Sequence, residues 1–416
     1  MKFVHLADCH IGGWRESDLR DLSIQSFSVA ADFCLREHAD FLVIAGDLFN
    51  TSVPGVDALK HVAGELKRLQ HAGIAVYIIP GSHDYSPSGK TMIDVLEKSG
   101  LCVNVFQFDK ETGTLQVTVD PKTGAQLTGM VGLRGALESQ HYRTLDEAAL
   151  RQHLRQDAVK IFLFHSLISE FAPVDLDMVD GEPLSSLPKG FDYYAGGHPH
   201  FVFQRDLTAD GYGIFAYPGP LFPNNFRELE KLKTGGLFLV EGTAGNLRAT
   251  SIPLPLKRVV SFEFSAEVKR AQDVEHEIRS SFSQQDLHDA IVTVRVSGML
   301  HEGKPGDIAL KKIFDDAGAF AVLRNTTALT SREFEDIKVH AGTMEEIERE
   351  LITSNSGQIA LHSFFGQEQN VVRTLMQLLH VDKKEGEKVS DFESRVLGDC
   401  LSALRMGGVW GGRYDH

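Results

Sequence analysis

The residues able to do chemistry in this chain stand at the ends of apolar runs. Asp8-Cys9-His10 follows Phe3 to Ala7, and Gly46-Asp47 follows Phe41 to Ala45. Gly81-Ser82-His83-Asp84 follows Val76 to Pro80, His165 follows Lys160 to Phe164, and Gly197-His198-Pro199-His200 follows Phe191 to Ala195. Carboxylates combined with imidazoles suit Mn, Fe or Zn better than Ca or Mg alone. Asp8, His10, Asp47, His165, His198 and His200 supply two carboxylates and four imidazoles. A single ion rarely takes more than about four such ligands, so the set fits two ions. Asp47, alone after its run, is the natural bridge. Two ions about 3.5–4 Å apart clamp a phosphoryl group and lower the pKa of a water between them, so the natural substrate is a phosphate ester. His83 remains outside the ligand set, able to give a proton to the leaving oxygen or to stabilise a charged transition state. Asp84 beside it can orient its ring or a nearby water. The chain has 18 histidines, and any one alone, such as His5, His38, His61 or His71, is most simply structural or on the surface. The ordered set carries the argument.

These residues need a rigid frame. Short runs rich in Val, Ile and Phe read as buried strands, and polar residues at strand ends sit on loops that a sheet positions. Strands over 2–7, 41–45 and 76–80 alternate with helices over 22–37, 55–71 and 90–98, with a loop at 14–21. Val56, Leu59, Val62, Leu66 and Leu69 form the apolar stripe of the second helix. Further strands are expected at 101–108, 115–119, 127–133, 160–164, 191–195, 201–205, 213–217 and 236–241. A helix is expected at 145–156, and loops at 168–189 and around Asn224 to Arg227. The predicted fold is α/β, two packed β-sheets flanked by helices. The composition shifts at Pro253-Leu254-Pro255. This sets a catalytic domain at 1–252 and a small α/β capping domain at 253–330. The latter has strands at 259–264, 291–296 and 319–324 and helices near 268–282 and 305–314. A helical C-terminal region follows at 331–416. Thr343 and Glu346 make a capping box for a helix over 344–352, and stripes from Val371 to Leu379 and Phe392 to Leu404 mark two more.

With 416 residues, 42% hydrophobic and 24% charged, the chain is a packed protein of two or three domains. The formal net charge of −15 argues against a wide basic surface for nucleic acid. It leaves room for a metal-centred phosphate site or a partner that supplies positive charge. Lys257-Arg258, Lys269-Arg270 and Lys311-Lys312 read as solvated surface or as a DNA-facing edge. Four scattered cysteines without a C-x-x-C fit a reducing cytoplasm. Neither a signal-peptide core nor an apolar stretch of membrane-spanning length is expected.

The order D-x-H, G-D, G-x-H-D, H and G-H-x-H resembles the calcineurin-like metallophosphoesterase superfamily. Within it, the chain is similar to the nuclease subunits of double-strand-break repair complexes, the SbcD and meiotic-recombination-eleven type. The resemblance rests on His5 to Gly12, Ile44 to Phe49, Gly81 to Asp84, Phe164 to Ser166, Gly196 to His200 and Tyr217 to Pro220, and covers about residues 1–250. It implies one Mn ion on Asp8, His10, Asp47 and His200 and a second on Asp47, His165, His198 and Ser82, with His83 as the catalytic histidine. It implies 3'-to-5' exonuclease and endonuclease action on DNA, a homodimer through helices 55–71 and 90–98, and a coiled-coil ABC-type ATPase docked on the helical tail. Ser82 departs from the Asn that is usual in the third motif. A hydroxyl is a poorer metal donor than an amide oxygen, so the second ion is expected to bind more weakly. The same metal core also serves phosphatases and small-nucleotide phosphodiesterases, and Ser82 leaves open a weakly active or non-catalytic DNA-end tethering subunit.

Overall fold

A computed structural model describes residues 1–86, 90–133, 137–173, 181–332, 352, 368–384 and 389–404. The apolar runs form two six-stranded sheets. In the first, β1 (Lys2–Leu6), β2 (Phe41–Ala45), β3 (Ala75–Ile79) and β4 (Val103–Asn104) run parallel, and β13 (Gly235–Thr243) and β14 (Asn246–Leu254) extend it antiparallel beyond β1. In the second, β8 (Gln126–Met130), β9 (Lys160–His165), β10 (Tyr193–Gly197) and β12 (Ile214–Pro218) run parallel. β11 (Val202–Asp206) and β7 (Thr118–Val119) close its antiparallel edges, and β5 (Phe108–Asp109) and β6 (Thr114–Leu115) form a separate ribbon.

Each central strand is buried on both faces, as parallel strands covered by helices must be. Alternate side chains therefore enter different cores. Phe3, Phe41, Val43, Tyr77, Ile161, Leu163 and Tyr193 fill the space between the sheets. Val4, Leu6, Leu42, Ile44, Val76 and Ile78 pack on the outer side with residues of α1 (Ser17–Arg36), α2 (Val56–His71) and α3 (Met92–Lys98). Phe162, Phe164, Tyr194 and Phe215 make a third, aromatic core on the far side of the second sheet, with Tyr142 of α4 (Ser139–Thr144) and Leu150 of α5 (Glu147–His153). The same alternation aims His165 at the inter-sheet side, in register with Ile161 and Leu163.

Several local expectations change, among them the strand at 101–108, which splits into β4 and β5. The loop at 14–21 gives way to α1 from Ser17, because Leu19 and Leu22, three residues apart, are both buried. The loop near Asn224 becomes α6 (Phe226–Leu232), started by the Asn225 side chain accepting the Glu228 N–H at 3.0 Å. The stretch up to the expected boundary at Pro253-Leu254-Pro255 is strand β14. Pro253 pairs in register with Gly236 there, which an edge strand tolerates because its outer N–H has no partner to lose. The described part of 168–189 holds short turns at Ser169–Phe171 and Leu184–Ser186.

The chain separates into two compact units. The first takes Met1–Glu263, Gln285–Arg295 and Phe314–Asn325, and the second Phe264–Gln284, Val296–Ile313 and Thr326–His416. A further four-stranded sheet is made of β15 (Val259–Ser265), β16 (Ile291–Leu300), β17 (Ala321–Asn325) and β18 (Leu329–Ser331). In the second unit, α7 (Ala271–Ser283) buries Val274, Ile278 and Phe282, and α8 (Leu310–Asp315) buries Leu310 and Ile313. α9 (Glu368–Leu379) and α10 (Val389–Ala403) pack against each other. The helix expected at 344–352 lies almost wholly outside the described residues. Among the described residues no helix is long and apolar enough to cross a membrane.

Candidate metal centre

The C-terminal ends of β1, β2, β3, β9 and β10 bring the predicted residues together, the usual place for a site in a parallel sheet. The loops after β1 and β2 run side by side: Asp8 N–H donates to Gly46 O (3.2 Å), His10 N–H to Asp47 O (3.0 Å) and Ile11 N–H to Leu48 O (3.1 Å). Asp8, His10, Asp47, His198 and His200 all have positive φ, at 50°, 41°, 52°, 96° and 46°. Left-handed backbone costs an L-residue about 1–2 kcal/mol, and such strain gathers at functional sites. Three glycines make the space, among them Gly132, where a Cβ would meet His165 Cδ2. Gly46, at φ 85°, and Gly197 both lie so close to the His165 ring that a Cβ on either would overlap it.

His165 is fully buried, and its Nδ1–H donates to Ala45 O at 2.8 Å. Its Nε2 is left facing Asp47 Oδ2 at 3.2 Å, where a lone pair opposite a carboxylate oxygen needs a proton or a cation between them. His10 Nε2 lies 2.9 Å from His200 Nε2 and 3.6 Å from Asp47 Oδ2, and His200 Nε2 lies 3.7 Å from Asp8 Oδ1. Among the described residues three groups of potential ligands result, each with its ligand atoms within 4.8 Å: Asp8, His10 and His200; His10, Asp47 and His83; Asp8, Asp47 and His165. Asp8, His10 and Asp47 each belong to two of them. The cluster is therefore extended, the shape two adjacent ions need. The donor set is right for divalent transition metals.

Its electrostatics also call for cations. Burial pushes the Asp8 carboxyl up to about 6, against the pull of His200 and His165. Burial would raise Asp47 too, but His165 and His10 hold it well below the usual carboxylate range. Burial disfavours the charged form of His165, yet Asp47 and Asp8 raise it to about 10. His200 rises to about 9 against its own burial through Asp8 and Glu228. Burial instead pushes His10 down to about 3 and His198 down to about 4, so of these four imidazoles only His165 and His200 hold protons that metal binding would release.

The remaining predicted residues fall around this cluster. His198 donates its backbone N–H to both Asp8 oxygens (2.9 and 3.0 Å), and its ring stands edge-on to His165 with centroids 5.3 Å apart. Its nitrogens belong to none of the three groups. Ser82 is buried. His83 donates its backbone N–H to Asp47 Oδ1 (2.7 Å) and its Nδ1–H to Asn50 O (2.7 Å), and its ring meets His10 edge-on at 4.7 Å. Asp84 goes elsewhere than expected. Its buried carboxylate accepts the N–H groups of Leu48 (3.1 Å), Phe49 (3.0 Å) and Gly81 (3.1 Å), and so ties the third loop to the second. Neighbouring side chains diverge in this turn, and the His83 ring is held by Asn50 instead. Burial and Asp47 push Asp84 up to about 7 although these N–H groups pull it down.

Sequence reading missed Glu228, whose Oε1 accepts His200 Nδ1–H at 2.8 Å. The available signal was Asn225-x-x-Glu228, a helix-start pattern shortly after Tyr217-Pro218-Gly219. It also missed the carbonyls of Ala45 and Asn50, which carry no side-chain signal.

The family model for calcineurin-like phosphoesterases matches residues 1–201. Among curated proteins, the chain is 25% identical over 381 residues to the DNA double-strand break repair protein Mre11 of Archaeoglobus fulgidus, covering 86% of this chain and 82% of that one. It is 30% identical over 239 residues to the protein of the same name from Saccharolobus solfataricus, covering 55% and 56%. It is 25% identical over 265 residues to the Bacillus subtilis metallophosphoesterase YhaO, covering 59% of each.

Proposed function

Since residues 1–201 form a calcineurin-like phosphoesterase domain, we propose that this chain is a two-metal-dependent DNA nuclease acting in double-strand-break repair. It hydrolyses phosphodiester bonds with water as nucleophile, as a 3'-to-5' exonuclease on duplex ends and as an endonuclease. The observation that carries the reading is the overlap of three ligand groups through Asp8, His10 and Asp47. The double-strand-break repair relatives support DNA as substrate.

Asp8, His10, Asp47 and His200 would hold one Mn ion, and Asp47, His165, His198 and Ser82 the other. Such ions, when bound, polarise the phosphate ester and acidify the attacking water. The chain's own residues do the rest. Ala45 O and Glu228 spend the Nδ1 protons of His165 and His200 and so leave Nε2 of each as the ligand atom. Asn50 O does the same for His83, whose Nε2 is then left to exchange a proton with the leaving oxygen. Asp84 holds the His83 loop against the Asp47 loop.

The net charge of −15 fits a division of labour in which a coiled-coil ABC-type ATPase partner supplies much of the DNA grip. The cations at 257–270 support this, because Lys257, Arg258, Lys269 and Arg270 each pair with an acid of their own surroundings. Helices α2 and α3 present Val56 (79% exposed) and Val95 (50% exposed), which fits a homodimer contact there.

The test is cleavage of a linear labelled duplex with Mn, with Mg and with chelator, beside bis-p-nitrophenyl phosphate. Mn-dependent shortening of the duplex is expected, reduced at least about 100-fold in His83→Ala and increased in Ser82→Asn. Turnover of the small diester without any duplex cleavage would move the reading to a small-nucleotide phosphodiesterase. Duplex binding without Mn-dependent cleavage in wild type or Ser82→Asn would leave a tethering subunit.

A further inference from the structure

His200 is, after the exposed His198, the ligand candidate most open to water. Its side chain is 24% exposed, whereas Asp8 is at 1%, His10 and Asp47 at 2%, and His165 at 0%. The buried members are held by packing. An imidazole a quarter exposed has room to turn, and a turned ring would withdraw Nε2 from His10 and Asp8.

One contact holds its Nδ1 side. Glu228 Oε1 accepts His200 Nδ1–H at 2.8 Å. Glu228 is itself held on every side. Its Oε2 accepts the Asn224 N–H at 2.7 Å, Oε1 also accepts an amide N–H of Asn225, and its own N–H caps onto Asn225 Oδ1. Two residues along the same helix, Glu230 receives the Arg295 guanidinium in a two-pronged pair, Nη2 to Oε2 at 2.6 Å and Nε to Oε1 at 3.2 Å. The guanidinium also sits 5.2 Å above the Phe226 ring at the first position of α6. Between these, Leu229 is fully buried with Trp14, Leu22, Phe222 and Ile291. α6 has seven residues and is too short to be rigid alone. Arg295, on β16, clamps it from outside.

We infer that Glu228 is the positioning residue for metal ligand His200, and that Arg295 acts on the same ligand through α6. A charge partner in this place fixes the tautomer and orientation of an imidazole ligand and makes it more basic. The inference rests on the two-ion reading above. It assigns β16, which is remote in sequence from every ligand, a hold on the affinity of one ion.

The experiment is calorimetric titration of Mn into the chelator-stripped full-length chain, with denaturant unfolding in chelator as the control for fold. Wild type is expected to bind two ions. Glu228→Ala should weaken one of them about 10–100-fold and leave the other within about threefold. Glu228→Gln, whose amide oxygen still accepts the Nδ1–H, should recover most of that loss. Arg295→Ala should weaken the same ion several-fold. Glu228→Ala binding both ions as wild type does would overturn the inference, as would a loss shared equally by both ions and unrelieved in Glu228→Gln. Unchanged affinities in Arg295→Ala would remove the role of β16. A wild type that binds fewer than two ions would sink the two-ion reading itself, which the variants do not test.

Discussion

At Asp8, His10, Asp47, His198 and His200, side chain and backbone are selected together. Asp and His are several-fold enriched among non-glycine residues at positive φ, and here the same residue types are the proposed ligands. His5 shows the opposite use of an imidazole. It is fully buried between the sheets, with Nδ1 2.9 Å from the Tyr193 hydroxyl, and burial pushes it down to about 3. The folded chain therefore declines a proton that the unfolded chain takes up below about pH 6.5. Stability owed to His5 is complete above that pH and falls as pH drops from 6.5 toward 3. From pH 7 to pH 5 the loss is about 2 kcal/mol, from a slope of about 1.4 kcal/mol per pH unit. Urea unfolding at the two pH values should show that loss in wild type, and a loss smaller by about that amount in His5→Gln. Equal losses in both proteins would show that His5 does not titrate as its burial dictates.

The elements do more than carry residues to the site. The Gly46 turn must be left-handed and must lie against the His165 ring. Gly46→Ala meets both demands at once. It should cost about 1–3 kcal/mol of stability in chelator and displace His165, so that Mn binding falls as well. Wild-type Mn affinity in Gly46→Ala would mean that the ring has room to yield. α6 makes a different point. Its start at Asn225 and the acid at Glu228 were legible as a helix signal only in retrospect, because seven residues give too little apolar periodicity to register. α1 was legible, but its first turn was hidden by the polar run Arg15-Glu16-Ser17-Asp18, after which Leu19 is the first residue of the helix to face the core.

On the scale of the whole molecule, two sheets face each other across one core, and helices cover the first sheet from outside. This leaves α2 and α3 with their second faces in solvent, Val56 and Val95 among them. Sedimentation should report a dimer for the wild type and a monomer for Val56→Glu combined with Val95→Glu. The unfolding midpoint in denaturant should be unchanged, because neither valine is buried in the chain. A wild-type monomer, or a dimer indifferent to both substitutions, would place any self-association elsewhere.

Taken alone, the sequence determined the types of the proposed ligands, their order and their attachment to strand ends. Strands covered on both faces read as continuous apolar runs, and the first polar residues after each run mark the loop. It therefore yielded the α/β class and the set Asp8, His10, Asp47, His83, His165, His198 and His200. Only the tertiary structure decided which atoms meet. The left-handed turns, the lone pair of His165 and the diversion of Asp84 to three backbone N–H groups depend on contacts between distant segments. Glu228 reaches His200 from 28 residues away, and Arg295 reaches Glu230 from 65. Such partners have no periodicity to betray them, because they are chosen by distance in space and not along the chain.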